Sequence, residues 1–239
     1  MLRPALVVAL AAAASYPAGL LLGSRWLLPI LNAAPAYIAM VWLLVRGRRR
    51  DAVVVMLAWA ATLAVAGTIS FAVWPGSPER LVLNGSDYRD EMFQWIRTGV
   101  GRESSPLRFI PQHALHLAAF VVLSLATASA VSITMGAVLM NYMDLYVASL
   151  ARAGAPPWSA LLFGWQPWAI CRVAAFSILG VVLAEPLLNR LHRYGYEGLR
   201  SARRWILIAA GLLVADVVLK TALAPAWGYV LRQVLPTSS

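Results

Sequence analysis

The chain has one cysteine, Cys171, one lysine, Lys220, and little charge of either sign. A single cysteine forms no internal disulfide and no cysteine-only metal centre. Charged residues make up 13% of the 239 residues, against about 25% in soluble globular chains. The sequence holds no His-Glu-x-x-His, no Gly-x-Ser-x-Gly, no Walker loop and no dinucleotide fingerprint. These absences exclude the easily recognised zinc peptidases, serine hydrolases, nucleotide hydrolases and nicotinamide enzymes. No cofactor is expected.

Apolar sequence is abundant. Hydrophobic residues make up 61% of the chain, and the mean hydropathy is +0.71. A water-soluble fold of this size has too little interior for that much apolar surface. Charge clusters at 46–51, 79–108 and 190–204, with apolar runs between. The sequence therefore predicts an all-alpha, polytopic transmembrane helix bundle forming a single domain over 1–239. A basic excess of +10 would suit nucleic-acid binding in a soluble chain. Here the arginines flank apolar runs, where they fix topology, so no nucleic-acid partner is expected. Arginine in place of lysine and the many alanines suggest a bacterial source and an inner (cytoplasmic) membrane.

A span needs about 20 residues. Spans are expected near 5–23, 27–45, 52–74, from about Gln112, near 167–187 and near 205–224. The first apolar run reads as a retained span and not a cleaved signal. Arg46-Gly47-Arg48-Arg49-Arg50 should face the cytoplasm, as should the basic loop 188–204. An odd number of crossings must then lie between 112 and 187. Residues 114–151 as one helix would measure about 57 Å, against a hydrocarbon core of about 30 Å. Two spans breaking near Ser132 to Gly136 satisfy both conditions. Seven spans are preferred over six. The rival path has one long helix, an interfacial segment and a re-entrant piece at 158–167.

The polar extracytoplasmic segment 75–111 carries five arginines and five acids. Asn84-Gly85 signals a turn. A short interfacial helix should follow, with Tyr88, Met92, Trp95 and Ile96 on one face. It reads as a linker that lies on the membrane or seals the bundle, or else as a lid over a cavity. The pattern Asn84-Gly85-Ser86 matches a glycosylation acceptor and is expected to be unused.

Ionisable groups at bilayer depth are candidates for function, because hydrocarbon penalises them unless they are paired or wetted. Asp216 and Lys220 stand one helical turn apart and should pair. Asn141 and Asp144 share a face, and Asp144 is expected at a membrane boundary. Glu185 and Arg172 lie at opposite ends of one span, about 20 Å apart. These six are the ion or substrate pathway candidates. His113 and His116 supply two imidazoles on one helix face, too few for a metal site without acids from 87–91. No metal is expected. Ser124, Ala128, Ser132 and Gly136 form a small-residue stripe suited to helix contact or dimerisation.

The reading preferred on these grounds is a transport or permease-like membrane component. A structural or assembly subunit and an intramembrane enzyme acting on a lipid-linked group are the alternatives. Lipids, further copies of the chain or other membrane subunits are the expected partners.

Overall fold

The computed structural model describes residues 2–74, 76–193, 198 and 200–235. Glu197 of the second basic loop lies outside them. Nine α-helices occupy the described residues: α1 (Leu2–Leu22), α2 (Leu27–Leu44), α3 (Arg49–Val73), α4 (Gly85–Thr98), α5 (Pro106–Thr127), α6 (Ala130–Arg152), α7 (Pro157–Gly164), α8 (Pro167–His192) and α9 (Arg203–Val234). The expected bundle of six or seven spans is thus corrected to nine helices. Seven are long, and α4 and α7 are short.

Local chemistry sets the ends. Gly23 and Gly47 adopt left-handed backbone (φ 66° and 69°) and close α1 and α2, a conformation that costs glycine least. Pro106, Pro157 and Pro167 open α5, α7 and α8, where a missing N–H is harmless. Arg152 at the end of α6 reaches the Phe71 and Trp74 carbonyls at the end of α3. Those carbonyls lack helical partners there.

The break between α5 and α6 falls at Ala128 and Ser129, not at Ser132 to Gly136. Both residues have positive φ (48° and 68°). The turn is held by hydroxyls. Ser124 Oγ donates to Ser132 Oγ at 2.7 Å, and Ser129 Oγ donates to the Gly180 carbonyl of α8 at 2.6 Å. The small-residue stripe is therefore interrupted and points inward, so it offers no face to a second copy. Ser129→Ala should cost about 1–2 kcal/mol, since it leaves the Gly180 carbonyl with a partner lost in a buried site. Thermal unfolding of that variant beside the parent checks this. An unchanged midpoint would show that the hydroxyl is dispensable.

Helices α3, α6 and α8 form the centre. α1 and α2 pack against α3 on one side, α5 lies across α6 and α8, and α9 runs along α8. α4 lies over α6 and α9, burying Met92, Trp95 and Ile96. Tyr88 of α4 lies tilted against Tyr142, with centroids 4.5 Å apart, and meets Tyr146 edge-on. The face carrying Tyr88, Met92, Trp95 and Ile96 packs against the bundle.

Ion pairs tie the interior. Arg49 makes two bonds to Glu185, at 2.6 and 2.8 Å, and a third to Ser201. The two basic segments 46–51 and 188–204 therefore meet at one end of the molecule. Arg172 makes two bonds of 3.1 Å to Asp216, and Lys220 pairs with Glu103 at 2.9 Å. These pairs correct the expected partners. Arg49, Glu185, Arg172, Asp216, Lys220 and Glu103 find their partners within one chain, where a homo-oligomer or other membrane subunits had been expected to supply them.

A network of this kind would suit an ordinary globular helical domain in water, and it removes buried charge as a reason for placing the chain in a bilayer. It does not decide what surrounds the bundle, because paired interior charges are met in either solvent. The outer surface bears on that directly. Seven helices are long and apolar enough to cross a membrane by length and composition. Only 17% of the most apolar stretch of α5, and of α9, is buried. Leu10, Ile38, Ile69, Val122, Val214 and Val218 all face outward. Soluble monomers rarely leave apolar patches beyond about 300–600 Å² uncovered. The finer assignment to an inner membrane, with 46–51 and 188–204 cytoplasmic, is corrected: the geometry gives the two loops a common end and assigns no compartment.

Candidate functional site

A cavity of about 330 Å³ lies between α3, α4, α5, α6 and α8. Its two ends differ in chemistry. One end holds Glu91, Arg102, Glu103, His113, His116 and Arg172. The other is lined by Met56, Phe120, Ile133, Met140 and Phe176. Phe120 and Phe176 stack at 4.7 Å between centroids.

The polar end is built by four elements. Pro106 starts α5, which brings His113 and His116 round on successive turns. The turn after α7 carries Trp165 and Gln166, and Pro167 starts α8 so that Arg172 follows one turn and a half later. α9 supplies Asp216 and Lys220, and the loop after α4 supplies Arg102 and Glu103. His113 Nδ1 lies 3.3 Å from Asp216 Oδ2 without hydrogen-bond alignment. Arg102 pairs with Glu91 at 3.2 Å. The Lys220 ammonium also lies 4.6 Å from the centre of the Phe109 ring, a favourable cation–π placement.

Three buried polar atoms on this cavity's lining residues have no hydrogen-bond partner: Trp165 Nε1, Gln166 Nε2 and His113 Nδ1. Indole and amide nitrogens only donate. An unpaired buried donor costs about 1–3 kcal/mol, so such atoms are rare unless something completes them. Arg172 lines the same cavity, with two of its N–H groups committed to Asp216 and others remaining of its five. The wall thus offers unpaired donors at Trp165 and Gln166.

The six pathway candidates separate into three places. Arg172 lines the cavity, and Asp216 and Lys220 are paired with its lining residues Arg172 and Glu103. Asn141 and Asp144 lie in a sealed cluster with Tyr16. Glu185 lies at the far end with Arg49. The pairing corrects the transport reading: these buried charges hold one another across helices as an internal ionic cross-link. Asp144 is fully buried (0% exposed), which corrects its expected place at a boundary. Asp216 and Lys220 do not pair with each other. Each turns to another helix or loop for its partner. Among the described residues, no group of three His, Cys, Asp or Glu side chains could hold a metal ion. Cys171 is free and half-buried.

Sequence reasoning missed Trp165, Gln166, Glu103 and Tyr88 as parts of this site. The run Trp165-Gln166-Pro167 read as an interfacial belt. A polar amide between two tryptophans was the available signal. No family model matches the chain, and neither the curated proteins nor the solved structures compared with it give a match.

Proposed function

We propose that the chain binds one amphipathic small molecule, with an acceptor-rich acidic head (a carboxylate or phosphate) and an apolar tail. The observation that carries this reading is the pair of orphaned donors at Trp165 and Gln166 on the wall of a cavity that Arg172 also lines and that is otherwise largely apolar. An anionic oxygen among those donors makes charge-assisted hydrogen bonds of the strong class. The tail gains about 25 cal/mol per Å² of apolar area removed from water. A cavity of this size falls at the small end of the usual range for ligands, about 300–1,000 Å³. It fits a short or partly inserted chain.

The test compares alkyl phosphates and carboxylates with the alcohol of equal chain length, added to purified protein in an uncharged detergent. The acids should raise the thermal midpoint and the alcohol should not. Gln166→Leu should weaken acid binding about 10- to 100-fold, the worth of one hydrogen bond to a charged group. Equal binding of acid and alcohol, or binding of neither, overturns the proposal.

One observation favours a second reading, in which the bound molecule is also turned over. His113 stands between a carboxylate that can orient it and the cavity, and catalytic hydrogen bonds are often poorly aligned before substrate arrives. In that reading His113 accepts a proton from an attacking water while Gln166, Trp165 and Arg172 hold the developing oxyanion. His113→Gln would then abolish hydrolysis of a short acyl ester while leaving acid binding intact. Loss of both together would give His113 a binding role only.

A further inference from the structure

Gly136 sits inside α6, and neither helix formation nor packing accounts for it. Glycine inside a helix is less favourable than alanine, because it loses more conformational freedom on folding. A close approach usually explains such a residue. Carbons added at Gly67, Gly85 and Gly164 would collide with Asp144, Val82 and Val147. At Gly136 a Cβ would stand in open space, with nothing from the described residues packed within 4 Å of it. Gly211 is also unobstructed, but it is exposed and does not line the cavity. Gly136 does line it.

The direction of the missing side chain follows from the helix. Ile133 lies three residues before Gly136, and Met140 and Met143 lie four and seven after it, so all share one face. All of them line the cavity. Gly136 is therefore a notch in that face, between the side chains of Ile133 and Met140.

Its depth follows from how α6 passes α8. Ser129 Oγ donates to the Gly180 carbonyl, and Val147 lies against Gly164, just ahead of α8. The two helices thus run antiparallel, and Gly136 comes level with Val173, another lining residue. Val173 follows Gln166 by seven residues, about 10 Å along the helix axis. A ligand whose head meets the donors at Trp165 and Gln166 reaches the notch only with the part of its tail beyond that depth.

We infer that Gly136 is the specificity-determining residue of the cavity: its missing side chain admits a straight alkyl tail of medium length, which runs through the notch towards Phe120 and Phe176. The inference rests on the binding of an acidic head at Trp165 and Gln166, and it adds which tail the site takes.

The experiment is titration calorimetry of butyl and octyl phosphate into the full chain in an uncharged detergent, for the parent, Gly136→Ala and Gly136→Leu. Micelles take up each phosphate equally in every case, so ratios between proteins read the cavity. Without ligand, Gly136→Ala should raise the thermal midpoint by about 1–4 °C, because helix propensity improves and nothing is displaced. Butyl phosphate should bind the parent and both variants alike. Octyl phosphate should bind Gly136→Leu about 10- to 100-fold more weakly than the parent, the loss expected when two or three CH2 groups lose their place in the cavity. Equal octyl affinity in the parent and Gly136→Leu overturns the inference and leaves acid binding standing. Equal weakening of butyl and octyl phosphate also overturns it, by making Gly136 part of the fold or of the head site. Binding of neither phosphate to the parent overturns both the inference and the acid-binding reading beneath it.

Discussion

Asp216→Asn should lower the thermal midpoint of this chain by about 6–12 °C. The substitution removes the carboxylate that accepts two bonds from Arg172 and lies against His113. Breaking a buried pair from one side costs about 3–5 kcal/mol, because the other charge is left without compensation. The Arg172 side chain is 25% exposed, so water relieves part of that penalty and the low end, about 3 kcal/mol, applies. In a chain of this length each kcal/mol moves the midpoint by about 2–4 °C. Arg172→Met should cost a similar amount. The double variant should cost clearly less than the sum, since no charge is then stranded. A double variant as unstable as the two singles added together would mean that the residues act independently, and the cross-helix pair would not be what joins α8 to α9 here.

Gly67→Ala should be destabilising by about 3 kcal/mol, the upper end for an added methyl in a packed interior. The obstacles are the Asp144 carboxylate and the Tyr16 ring. Each is held by the other through a 2.9 Å bond, so neither can retreat without breaking that bond. Gly211→Ala is the matched control. It also lies in a long helix, with nothing within 4 Å of the new carbon. It should stabilise by about 0.5–1 kcal/mol through helix propensity alone. Opposite signs in chemical unfolding would show that space, and not helix propensity, fixes glycine at position 67. Loss of stability in both variants would assign the effect to the backbone.

Much of the long-helix pattern was legible in the sequence, because apolar runs of about 20 residues bounded by Pro, Gly and Arg carry their own signals. The break after α5 was misplaced by only a few residues. Ala128 and Ser129 hold left-handed backbone without the glycine that usually announces it, and the compensating bonds come from Ser124, Ser132 and a carbonyl on α8. Of those partners only the Gly180 carbonyl is distant in sequence. The charged residues were found but not their pairings. Spacing of four on a helix suggested Asp216 with Lys220, yet contacts across helices won. Arg172 offers a bidentate fork to Asp216, and Glu103 arrives from a loop more than a hundred residues away.

The sequence alone determined that this chain is helical, that its long helices are apolar enough by length and composition to cross a membrane, and which few ionisable groups lie within them. Those properties belong to each segment by itself, through residue type and periodicity. Only the tertiary structure decided that Arg49 pairs with Glu185, Arg172 with Asp216 and Lys220 with Glu103, that Trp165 and Gln166 stand with idle donors on the wall of a cavity, and that Tyr16, Asn141 and Asp144 meet. Each of these is a distance between residues far apart in the chain, and such distances are set by how helices cross.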